Sequence, residues 1–109
     1  MRSKSQKPNV VLMYADDMGY GDFGAFNDQV RTPVLDQLMD ESLCLSHHYA
    51  GSPVCSPSRA ALLTGRYPLR TGVITPQETL GMDRIALSEV TIADTFRAGG
   101  YATGMVGKW

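Results

Sequence analysis

Little in this 109-residue sequence is in excess, and its shortages exclude several classes of protein. Only two cysteines are present, Cys44 and Cys55, too few for the dense disulfide framework of a small secreted scaffold. No apolar run approaches the roughly 20 residues that cross a bilayer, so no membrane partner is expected. Neither sign of charge dominates: 10 Lys and Arg stand against 11 Asp and Glu, for a net charge of -1, which argues against a nucleic-acid partner. The one basic cluster, Arg2, Lys4 and Lys7, falls in residues 1–7, expected to be a disordered, solvated tail. That start is not expected to be a signal peptide. Pro8-Asn9 interrupts it, the apolar stretch that follows runs into Asp16-Asp17, and no small-residue cleavage site is present, so the chain as written reads as cytoplasmic. Internal repeats and low-complexity segments are absent as well. What remains, with 43% hydrophobic residues, is the composition of one ordinary soluble domain.

Apolar runs alternate with helical patterns along this domain. Val10-Val11-Leu12-Met13-Tyr14-Ala15 is too short for a helix and suits a buried central strand. It ends in Asp16-Asp17-Met18-Gly19-Tyr20-Gly21-Asp22, the acidic, glycine-rich kind of turn by which an active-site loop leaves a parallel sheet. Thr32 as cap and Pro33 at the first position open a helix to about Glu41, with Val34, Leu35, Leu38 and Met39 on one face. A second strand is expected over Leu43 to Tyr49, with Cys44 packed between Leu43 and Leu45. Residues 66–87 show no period and read as a long surface connection. Thr91 with Asp94 marks a capping-box start for a helix carrying Ile92, Ala93 and Phe96, stopped by Gly99-Gly100. Tyr101 to Val106 supplies a third strand, ending in Gly107-Lys108-Trp109. Strands separated by helices imply right-handed crossovers and a mainly parallel sheet. Three such strands leave much of that sheet uncovered, so the fold is expected to be incomplete in this chain.

The chemistry concentrates in Cys55-Ser56-Pro57-Ser58-Arg59. Pro57 has no N–H to lose and a φ suited to a first helical turn, which puts Cys55 or Ser56 at the N-cap of a helix running to Gly65. Free backbone donors and the helix dipole favour negative charge there. Arg59, four residues after Cys55, rises on the same side and can add a bidentate cation facing the same anion. A thiol, a helix mouth and a guanidinium together suit sulfate or phosphate. A lone cysteine before a helix would be an ordinary packed thiol; the five specified positions set this one apart.

The pattern C-x-P-S-R, followed by A-x-L-x-T-G-R through Ala60 to Arg66, resembles the sulfatase signature, in which the cysteine is oxidised to formylglycine. Two further stretches are similar to sulfatases: Pro8 to Leu12 leading into Ala15 to Asp22, and Gly99-Gly100-Tyr101 through Gly107-Lys108-Trp109. The resemblance covers residues 8–109 and implies an alkaline-phosphatase-like α/β domain with a mainly parallel sheet and flanking helices. Relatives are several times longer, so this chain is expected to be the N-terminal part of a sulfatase catalytic domain, inactive alone. The resemblance implies a role for each matching residue. Asp16 and Asp17, with the modified Cys55, would hold a divalent cation, usually calcium, to which hard carboxylate oxygens are suited. Cys55 would be the formylglycine precursor, Arg59 the arginine that steadies it, and Lys108 a sulfate-binding cation. The implied partners are a sulfate ester and a formylglycine-generating enzyme. The family's other metal ligands, its catalytic histidines and a second sulfate-binding lysine lie beyond the position of Trp109. His47 and His48 match none of those histidines and are expected to be structural, at a strand end. Relatives are often exported or lysosomal.

Two other readings stay open on the same residues. Phosphate and phosphonate esters present tetrahedral anions of similar size, which Arg59 and Lys108 alone do not tell apart. A truncated, non-catalytic product is the third reading.

Overall fold

The computed structural model describes residues 7–76 and 84–108 and divides the chain into two compact units, Met1–Ser42 and Leu43–Trp109. The expected tail lies almost wholly outside the described residues, as do residues 77–83 of the long connection.

In the first unit a segment without regular structure, 7–15, enters a bend at Asp16 and Asp17. Two 3-10 turns follow, Tyr20–Asp22 and Gly24–Phe26, tied by edge-to-face contacts of Phe26 with Tyr20 (ring centroids 5.4 Å apart) and with Phe23 (6.4 Å). Helix α1 is Pro33–Asp40. Thr32 holds its cap position but not by capping. Its hydroxyl donates to Asp36 Oδ1 at 2.7 Å and accepts from the Gly24 N–H at 2.7 Å, while Ala25 N–H donates to Asp36 Oδ1 at 3.2 Å. The network fastens the second 3-10 turn to the start of α1. It also requires glycine at 24, where a Cβ would meet Asp36 Oδ2 at 2.6 Å and the Val30 carbonyl at 3.0 Å.

The second unit is built on α2, Cys55–Thr64, packed against α3, Pro68–Thr71, and α4, Ile92–Ala98. Gly65 ends α2 at φ 67°, its N–H donating to the Ala61 carbonyl at 2.8 Å, as a left-handed glycine cap does. Ala60, Pro57 and Val73 are fully buried, and Ser58 and Thr71 nearly so. Thr71 uses its hydroxyl twice, donating to the Pro68 carbonyl at 3.0 Å and accepting from Val73 N–H at 3.3 Å. An ion pair, Arg66 Nη1 to Glu89 Oε1 at 2.6 Å, ties the exit of α2 to the approach of α4. The capping box of α4 is formed as the sequence suggests, with Thr91 N–H donating to Asp94 Oδ2 at 2.9 Å and Asp94 N–H to Thr91 Oγ1 at 3.3 Å.

Four expectations are corrected. Among the described residues there is no strand: the segments expected to be strands, 10–15, 43–49 and 101–106, have no regular structure beyond a turn and form no ladder. A strand exists only through a hydrogen-bonded neighbour, and these runs stand in solvent, with Val11 80% and Leu43 83% exposed. Cys44, expected to be packed, is exposed, as are its neighbours Leu43 and Leu45. Helix α2 begins two residues earlier than expected, with Val54 as cap and Cys55 as its first residue, so Pro57 is third; proline is tolerated there because no N–H of the first turn has an intrahelical acceptor. Finally, residues 66–76 are not merely a surface connection, because α3 and the buried Val73 lie within them.

Candidate active site

Cys55 opens α2, half-buried and with a free thiol. The helix face carrying Pro57, Ser58 and Ala60 is buried, which fixes the orientation of the first turn. The Ser58 N–H makes the first regular bond, to the Val54 carbonyl at 3.1 Å, and Val54 has no side chain able to cap. On the approach to α2, Gly51 lies so close to it that a Cβ would stand 2.6 Å from that of Ala61. A close glycine and a packed helix together hold residue 55 in place.

Two cations converge there. Lys108 Nζ donates to Cys55 Sγ at 3.7 Å, and Arg59 Nη1 donates to the main-chain carbonyl of Lys108 at 2.6 Å. Gly107 delivers the lysine at φ 108°, a backbone conformation that side chains resist. Cys55, Arg59 and Lys108, separated by up to 53 residues, thus form one cluster in the second unit. A partly exposed thiol beside an ammonium at a helix start suits chemistry on an oxyanion.

Asp16 and Asp17 stand side by side in the first unit, both exposed. Asp17 has φ 53°, the one positive φ outside glycine among the described residues. Such a conformation costs roughly 1–2 kcal/mol for most L-residues and is best tolerated by Asn and Asp. It breaks the alternation of an extended chain. Two adjacent hard oxygen donors at such a bend suit part of a divalent-cation shell, which for calcium takes six to eight oxygens. Asp22, the third acidic residue of the turn, holds the backbone by accepting from Gly19 N–H at 2.7 Å.

His47 and His48 sit at an exposed turn rather than a strand end, His47 Nδ1 pairing with Ser46 Oγ at 3.0 Å. What sequence reasoning missed is the bond from Arg59 to the Lys108 carbonyl. Its acceptor is a backbone atom 49 residues away, which no side-chain pattern announces.

The comparisons with known proteins converge. The family model described as Sulfatase matches residues 8–109. The chain is 46% identical over 110 residues to Arylsulfatase A of Homo sapiens, covering 96% of the chain and 21% of that protein. It is 44% identical over 110 residues to Arylsulfatase D of Homo sapiens, covering 94% and 18% respectively. Against Steryl-sulfatase of Mus musculus it is 45% identical over 109 residues, again covering 94% and 18%. The chain therefore spans about a fifth of the length of the curated relatives it matches. Among the described residues, no helix is long and apolar enough to cross a membrane.

Proposed function

This chain belongs to the sulfatase family, and on that premise we propose that it furnishes the nucleophile-bearing part of a sulfuric ester hydrolase. The observation that carries the reading is the cluster at the start of α2, where the Lys108 ammonium meets Cys55 Sγ and Arg59 holds the Lys108 backbone. In this reading Cys55 is converted to formylglycine by a formylglycine-generating enzyme. Once hydrated, residue 55 carries two hydroxyls: one loses its proton and attacks the sulfur of the ester, breaking the bond to the alcohol, which leaves protonated, and the other, on losing its proton, expels sulfate and restores the aldehyde. A plain thiol or alcohol offers no such internal exit.

Lys108 binds the sulfate oxygens, and Arg59 steadies residue 55 and its lysine. Asp16 and Asp17, with the converted Cys55, are the proposed ligands of a divalent cation, calcium by analogy with the family. When bound, such an ion neutralises charge on the sulfate oxygens and favours the ionised hydroxyl. The apolar segments 10–15, 43–49 and 101–106 become strands of the family's α/β sheet when neighbours pair with them. Their exposure supports a further proposal, that the 109-residue polypeptide by itself is marginally folded and turns over no sulfate ester at a measurable rate.

Rates on an aryl sulfate and an aryl phosphate test the reading, measured with calcium present and formylglycine content known. For a protein carrying this segment within a complete domain, the expected result is turnover of the sulfate in preference to the phosphate, abolished by Cys55→Ala. Preference for phosphate would transfer the proposal to phosphate or phosphonate esters. Turnover by the 109 residues alone, abolished by Cys55→Ala, would overturn the inactivity proposal.

A further inference from the structure

Resting on the reading of Cys55 and Lys108 just given, the geometry assigns Arg59 a narrower task than its charge suggests. Its Nη1 is directed at the Lys108 main-chain carbonyl, 2.6 Å away, while the lysine's own Nζ reaches Cys55 Sγ at 3.7 Å. One cation grips the backbone at the root of the other. The two roots differ in rigidity: Arg59 rises from a helix whose opposite face is buried, whereas Lys108 follows Gly107 in a segment, 101–108, without regular structure. An ammonium on a four-carbon stem stands in a defined place only if the backbone beneath it is held. We infer that Arg59 is a positioning residue, whose hydrogen bond to the Lys108 carbonyl sets where the lysine ammonium stands over residue 55. Through that bond Arg59 acts on the anion by way of Lys108.

The unconverted chain provides a readout that needs no turnover. Iodoacetate and iodoacetamide both alkylate a thiol, the sulfur displacing iodide to form a thioether, but only iodoacetate carries a negative charge. Peptide mass spectrometry yields the ratio of the two rates at Cys55, and Cys44, exposed in the same unit, serves as internal standard. An ammonium at this range should raise the ratio at Cys55 about fivefold above that at Cys44. Lys108→Ala is expected to remove the preference, and Arg59→Ala most of it. Arg59→Lys retains the charge and helix but not the planar reach to the carbonyl, and should lose as much as Arg59→Ala. The deciding variant is Arg59→Ala combined with Lys108→Ala, which should match Lys108→Ala alone.

Additive losses in the double variant, or a full preference in Arg59→Lys, would overturn the inference by showing that Arg59 acts as a charge of its own. Equal ratios at Cys55 and Cys44 in the unaltered chain would also overturn it. Because the assay uses the thiol, failure of formylglycine conversion or of sulfate turnover would strike the proposed function and leave this readout intact.

Discussion

Helices α1 and α2 are of similar length, eight and ten residues, yet the one with the cleaner apolar stripe is the one left in water. Val34 on α1 is 77% exposed and Leu38 48%, whereas α2 buries Pro57, Ser58 and Ala60 beside α3 and α4. An amphipathic face states a need for a partner, and only packing meets it. The units accordingly hold their candidate residues by different means. In the first, Asp17 is itself a left-handed residue, and the bond from Gly19 N–H to Asp22 closes the turn that follows it. The second positions Cys55 through a small core and a long-range bond.

The contrast breaks most visibly at two valines. Val73→Ala deletes fully buried surface and should lower the stability of the second unit by about 2 kcal/mol, as a shift of the urea midpoint. Val34→Ala removes the same atoms from an exposed face and should stay within about 0.5 kcal/mol. Equal effects would mean that α1 is covered in solution.

A smaller effect concerns the cap of α4. The Asp94 carboxyl is held below its ordinary value first by the Thr91 hydroxyl, at 2.6 Å, then by the Thr91 N–H, with the Arg97 guanidinium adding to both. A depressed folded-state value stabilises the fold above the unfolded carboxylate range, and that stability is lost as pH falls through the folded value. The α4 signal in circular dichroism should therefore decline on the acid side. Thr91→Ala should cost about 1 kcal/mol near neutrality and flatten that acid limb.

Asp17→Asn should do least to the fold, because asparagine also tolerates positive φ, and most to the ion. Calcium affinity by titration calorimetry is expected to fall on the order of tenfold, since affinity follows the charge count of the ligands. Equal affinity in both proteins would reduce Asp17 to a turn residue.

Local signals were legible in the sequence and tertiary ones were not. Thr32-Pro33, Thr91 with Asp94, and Gly65 marked their helix ends because these signals, a proline at the first position, a capping box and a left-handed glycine, act within a few residues. The start of α2 slipped by two because proline suits any position of a first turn. Helix α3, four residues long, is too short to show a period. The apolar runs carry a preference for strand but specify no neighbour, which left the strand expectations and the burial of Cys44 without support. The candidate residues divide in the same way. Cys55, Arg59, Lys108, Asp16 and Asp17 stood out by motif, while the Arg59 bond to a distant carbonyl had no pattern to reveal it.

The central claim is that Cys55, and not Cys44, is the residue this sequence marks for chemistry. Intact-peptide mass spectrometry over residues 50–66, after production alongside a formylglycine-generating enzyme, tests it most directly. An aldehyde at Cys55 and an unchanged thiol at Cys44 are expected. Conversion at Cys44, or an untouched Cys55 in the presence of a competent enzyme, would contradict it.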